Sequence, residues 1–235
     1  MRHAVPNAGT EPAQEVRIPV RTVVLEGDLR IPHQAPGIVL FARGSGSGRH
    51  SPRNQFVARS LQATGLGTLL FDLLTRDEEA VDLVTRHLRF DIGLLAERLV
   101  AASRWLRTVP AMRAPAIGYF GASTGGGAAL VAAAELGDEI GAVVSRGGRP
   151  DLAGEALVRV RTPTLLIVGG RDEAVIELNR QALALLRCEK QLRIVPGATH
   201  LFEEPGTLEE VARLAGEWFG RHLRARPGTG VRQGA

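Results

Sequence analysis

The chain has 235 residues, 44% of them hydrophobic and 23% charged, with 28 Gly, a single Cys and few aromatic side chains. Those proportions suit one globular domain with a sizeable core and exclude disordered, collagen-like and disulfide-stapled proteins. The sequence pI is about 10.4, yet the formal net charge is only +4. The basic groups are almost all Arg, whose pKa lies above 12, so the net charge describes the field at pH 7 better than the pI does. The arginines are scattered among acids and there is little to stack on bases, so nucleic acid is not an expected partner.

Residues 1–15 are rich in Pro, Ala, Gly and polar side chains, which predicts a flexible N-terminal segment with no signal-peptide core. Residues 16–224 read as the folded domain, and 225–235 as a flexible tail. Cys188 has no partner for an internal disulfide, and the longest apolar run, Ala128–Ala134, is too short to span a bilayer. A cytoplasmic protein without a membrane partner is the resulting expectation.

Eight strands are predicted: Val16–Val20, Thr22–Leu29, Gly37–Phe41, Thr68–Phe71, Ala116–Phe120, Gly141–Val144, Thr164–Val168 and Gln191–Val195. Five of them (GIVLF, TLLF, AIGYF, GAVV, TLLIV) are continuously apolar, as strands buried on both faces of a parallel sheet should be. The first two, joined without a helix, predict an antiparallel hairpin at the edge. Ser51-Pro52 starts a helix that buries Phe56, Val57 and Leu61. Thr75-x-x-Glu78 has capping-box spacing and leads an apolar stripe from Val81 through Leu88 and Leu95 to Leu106, which predicts one long helix. Further helices follow Ser123 and span roughly Leu208–Leu223. This alternation specifies an α/β fold: a mostly parallel central sheet of about eight strands, helices on both faces, and no room between Val144 and Thr164 for a large cap domain.

Gly121-Ala122-Ser123-Thr124-Gly125 sits between a strand and a helix. A tight turn of this kind lifts a serine hydroxyl out of the backbone, and the flanking glycines allow the close packing it needs. The plainer alternative is a glycine-rich connection whose Ser caps the helix. Asp172 follows the strand Thr164–Val168 and His200 follows the last strand, both at the carboxyl edge where ligands bind in open parallel sheets. The order Ser, Asp, His fits a nucleophile on such an elbow. Capping the next helix is the alternative role for Asp172; Glu173 and Asp151 are rival acids, and His50 is the rival base. The loop Arg43-Gly44-Ser45-Gly46-Ser47-Gly48 predicts a backbone donor at Ser45 which, with Thr124 N–H, would meet charge developing on an acyl oxygen. It fits neither phosphate-binding glycine pattern. No metal-ligand spacing occurs, and no cofactor is expected.

Together these residues resemble the α/β-hydrolase family, and within it the small, capless dienelactone-hydrolase-like branch. The resemblance covers about residues 16–223. It rests on the Gly-rich loop, the G-A-S-T-G elbow, the G-G-R-D turn and the G-A-T-H-L-F loop. It implies a Ser123–His200–Asp172 triad with backbone donors near Ser45 and Thr124. Dienelactone hydrolases in the narrow sense carry Cys at the elbow, where this chain has Ser123; Cys188 lies far along the chain. The expected function is a serine esterase that cleaves small to medium carboxylic esters or lactones through an acyl-enzyme on Ser123. Acyl transfer by the same residues, or a non-catalytic ligand-binding protein of this fold, are the alternatives. Arg43, Arg146 and Arg149 lie in loops expected to face the site, where they could bind a carboxylate of the substrate. Against this, an Arg-rich chain places Arg in every loop. The oligomeric state is not legible in the sequence.

Overall fold

The computed structural model describes residues 13–42, 48–110 and 116–223. The expected flexible termini lie largely outside these residues, as do Arg43 and Ser45. All eight expected strands form: β1 Gln14–Val20, β2 Val23–Arg30, β3 Gly37–Ala42, β4 Gly67–Phe71, β5 Ala116–Ala122, β6 Ile140–Arg146, β7 Thr164–Gly169 and β8 Lys190–Val195. They build one sheet in the order β1-β2-β4-β3-β5-β6-β7-β8. The β1–β2 and β2–β4 pairs are antiparallel and the other five are parallel.

Alternation along β3 divides the core. Ile38, Leu40 and Ala42 join one apolar cluster, and Val39 and Phe41 join the other. This is the two-residue period of a strand covered on both sides. Helices α3 Ile92–Leu106 and α4 Thr124–Leu136 cover the first face. Helices α1 Pro52–Ala63 and α6 Thr207–His222 cover the second, and α5 Glu173–Leu185 lies beside β7 and β8. The connection from β6 to β7 is a 3₁₀ segment, Pro150–Arg159, broken at Gly154, with no inserted cap domain.

The single long helix expected after Thr75 is two helices. The capping box forms as read, and α2 runs only over Arg76–Thr85, where Arg86 at φ 59° ends it. A short 3₁₀ turn follows, and Asp91 caps α3 by accepting from Leu94 N–H. The apolar spacing continued across a break that the backbone makes, so Val81 and Val84 are exposed instead of buried. Buried Arg98 on α3 holds α2 in place by donating to both carboxylate oxygens of Glu78 and to the carbonyl of Leu73.

Candidate active site

The elbow is built from what its glycines leave out. Ser123 follows β5 with φ 52° and ψ −125°, a strained left-handed conformation for a residue with a β-carbon. A β-carbon on Gly121 would stand 2.6 Å from both Gly125 O and Gly126 Cα, so only glycine lets α4 turn this closely off the strand. Ser123 N–H donates to Arg146 O at 3.4 Å, which ties the elbow to the end of β6. Ser123 makes no side-chain cap bond to the helix, so the simple capping role is not the one it plays. Thr124 is the first residue of α4, where a backbone N–H has no acceptor within the helix.

The Asp172 and His200 loops are stitched together by backbone. Gly170 N–H donates to Val195 O at 2.8 Å and Arg171 N–H to Ala198 O at 2.9 Å. A β-carbon on Gly169 would lie 2.5 Å from the carbonyl oxygens of both Ala198 and Thr199, so the loops meet only because position 169 is bare. The result is a hydrogen bond of 2.6 Å between His200 Nδ1 and Asp172 Oδ2. Asp172 stands at the start of α5 but makes no cap bond with its side chain, which is turned to the imidazole. His200 packs on the end of β6: its Cε1 would be 3.6 Å from a β-carbon at Gly147. The rival groups are placed differently, with Asp151 paired to Arg149, and both Glu173 and His50 exposed. Ser123 Oγ and His200 Nε2 have no hydrogen bond to each other among the described residues, so the structure shows the imidazole–carboxylate half of the relay alone.

Arg146, the last residue of β6, is the unusual charge here. It pairs in register with Ala122 of β5 and Ile167 of β7, and its side chain is buried. Its Nε has no hydrogen-bond partner, and its guanidinium lies 5.7 Å from the ring centre of Phe202. Burial, helped by the neighbouring charge of Arg53, lowers its pKa to about 10. Arg53 itself pairs with Glu203 at 2.9 Å. Arg149 is held by both oxygens of Asp151. Among the described residues, no three His, Cys, Asp or Glu side chains form a group that could hold a metal. No helix there is long and apolar enough to cross a membrane. Sequence reading grouped Arg146 with the loop arginines and missed its burial; its position two residues past the apolar run Gly141–Val144 was the available signal.

A small, capless α/β sheet with an elbow after β5 and an acid–imidazole pair after β7 and β8 defines the α/β-hydrolase class. The chain belongs to the dienelactone hydrolase family, which it matches over residues 25–221. A dienelactone hydrolase from Anabaena variabilis ATCC 29413 superposes with a TM-score of 0.88 at 61% identity, covering 91% of this chain and all of that one. A Mycobacterium tuberculosis H37Rv protein that bears a provisional phosphoribosyl-transferase name is 57% identical over 210 residues, which are 89% of this chain and 46% of that protein. This chain thus spans about half the length of the curated relatives it matches. Est1E from Butyrivibrio proteoclasticus shares the fold at a TM-score of 0.73 and 18% identity, covering 88% of this chain and 98% of that one.

These comparisons correct the serine-esterase reading. At 61% identity the chain stands with a dienelactone hydrolase, whose narrow-sense relatives attack with cysteine, so the class is not a serine esterase and the acyl-enzyme on Ser123 is withdrawn. The chain's one cysteine, Cys188, is half-buried, and its Sγ lies 3.8 Å from Thr164 Oγ1. Burial raises its thiol pKa. Thr164 opens β7, whereas Asp172 follows that strand's other end. A strand of six residues at roughly 3.3 Å per residue puts about 17 Å of sheet between the two ends.

Proposed function

We propose that the chain hydrolyses esters or lactones of small to medium size, with His200 and Asp172 as its proton-transfer pair. The observation that carries this is the 2.6 Å bond between His200 Nδ1 and Asp172 Oδ2. It fixes the tautomer, so that Nε2 faces outward as the base, and it stabilises the imidazolium once a proton is taken. A non-catalytic ligand-binding protein would have no use for two loops stitched together to make that bond. The backbone N–H groups of Thr124 and Ser45 are the donors proposed for the developing oxyanion.

Arg146 supports a narrower substrate class. A desolvated guanidinium with no carboxylate partner is costly unless an anion arrives to pair with it. We assign it to a carboxylate on the substrate, with Arg43 and Arg149 as further candidates; of these, Arg149 would have to share its fork with Asp151. The transferase name of the mycobacterial relatives is not carried over, because this chain accounts for under half of their length, and a dienelactone hydrolase consists wholly of the part it matches.

The test is turnover of neutral and carboxylate-bearing esters and lactones by the wild type, His200→Gln and Asp172→Asn. Loss of about 10²-fold or more with unchanged folding is expected; full activity in either variant would overturn the assignment. Ser123→Ala and Cys188→Ala, assayed beside them, report on the attacking group.

A further inference from the structure

At the opposite edge of the sheet from His200, a cavity of about 660 Å³ opens between the end of α4, the end of the 3₁₀ segment and the α5–β8 turn. Three arginines, Arg159, Arg161 and Arg187, line it, with Ala134 and Val158 supplying apolar wall. Buried anchors flank the three arginines. Val160, between Arg159 and Arg161, is 1% exposed and extended (φ −65°, ψ 119°). Val160 is the buried residue where the 3₁₀ segment ends, and the arginines on either side of it, Arg159 and Arg161, are both exposed. Leu186, also 1% exposed and extended, is likewise buried beside the exposed Arg187.

Several exposed arginines elsewhere are matched to acids, as Arg21 is to Glu97, Arg107 to Glu139, and Arg213 to Glu210 and Glu217, while others such as Arg17 and Arg59 have no ion pair among the described residues. None of the three cavity arginines has an ion pair or hydrogen bond among the described residues. The one acid in the lining, Glu135, is already engaged by Arg104 at 3.3 Å. A cleft walled by one sign of charge concentrates counter-ions.

We propose that this cavity is a second ligand site, distinct from the His200 pair, and that it takes a small organic phosphomonoester. Three guanidinium forks suit a dianion with three terminal oxygens, where a single carboxylate would occupy only one fork. The volume falls in the range of roughly 300–1,000 Å³ that small-molecule sites occupy. The apolar wall leaves room for an organic group beside the phosphate. The cavity has no aromatic lining on which nucleic-acid bases could stack.

Calorimetric titration at low ionic strength with 1-naphthyl phosphate, 1-naphthol and inorganic phosphate tests this, using the wild type, an Arg159→Gln/Arg161→Gln/Arg187→Gln variant and the single variant Arg161→Glu. Saturable one-to-one binding of naphthyl phosphate is expected, weakened about tenfold or more in both variants and by loss of the phosphate in naphthol. All substituted side chains are exposed, so unchanged thermal unfolding should accompany the loss. Undetectable binding, equal affinity for naphthol, equal affinity for inorganic phosphate, or retention in the triple variant would each overturn the proposal.

Discussion

His200 Nδ1 and Asp172 Oδ2 are 2.6 Å apart although 28 residues separate them in the chain, and the contact survives on bare backbone at Gly169. Replacing that glycine with alanine puts a β-carbon 2.5 Å from two carbonyl oxygens, which neither a rotamer change nor a flexible tip can relieve. The expected outcome for Gly169→Ala is a loss of about 2–3 kcal/mol in stability, the scale of overpacking a tight site, with turnover falling more than stability alone explains. Urea unfolding beside ester turnover checks it; a variant of wild-type stability and activity would show that the loops do not need this approach.

Arg146 predicts opposite changes in stability and in selectivity. Burial lowers its pKa to about 10, so at pH 7 the fold carries a cation it would rather not hold. Arg146→Met keeps the bulk and removes the charge. Replacing buried charge by apolar groups of similar volume is often neutral or stabilising by about 1–4 kcal/mol; a rise toward the low end is expected, because this charge is already softened by the Phe202 ring. The same variant should lose its preference for carboxylate-bearing esters over neutral ones of equal length. A variant that is both less stable and equally selective would count against the anion role.

The strands were legible because they are buried on both faces: GIVLF and TLLIV admit few other readings, and their order along the chain placed Asp172 and His200 at one edge. Long-range closeness was not legible. Nothing in the spacing of Gly169 and Ala198 tells that one must lack a side chain for the other's carbonyl to approach. Likewise the stripe from Val81 to Leu106 keeps helical period through Arg86, and only the backbone turn at φ 59° reveals two helices. The elbow motif was visible, but the order Ser, Asp, His in the chain did not show that only Asp172 and His200 are hydrogen-bonded to each other.

Strain at the elbow gives a third expectation. Ser123 holds φ 52° and ψ −125°, a region costly for any residue with a β-carbon, at about 1–3 kcal/mol. Ser123→Gly should recover part of this, about 1 kcal/mol after glycine's larger unfolded-state entropy is subtracted. Thermal unfolding of Ser123→Gly against Ser123→Ala isolates the term, because only glycine relieves the strain. Equal melting temperatures would mean the conformation costs little.

The Arg98–Glu78 contact sets an acid limit on the region between β4 and α3. Arg98 is buried, and its bonds to both Glu78 oxygens lower the pKa of that carboxyl to about 2 from its ordinary 4.5. A carboxyl whose folded pKa is depressed contributes its full stability above the unfolded value, and that contribution is lost as pH falls toward the folded value. The stability gap between wild type and Glu78→Gln should therefore be constant above about pH 5.5 and shrink steadily between pH 4.5 and 2. Above that window it should be about 2–3 kcal/mol, somewhat under the cost of stranding a wholly buried charge because Glu78 keeps some solvent contact. Urea unfolding of both proteins at pH steps from 2 to 7 reads the gap directly. A gap that does not change with pH would mean Arg98 pairs with the carbonyl of Leu73 alone, leaving Glu78 to serve only the cap of α2.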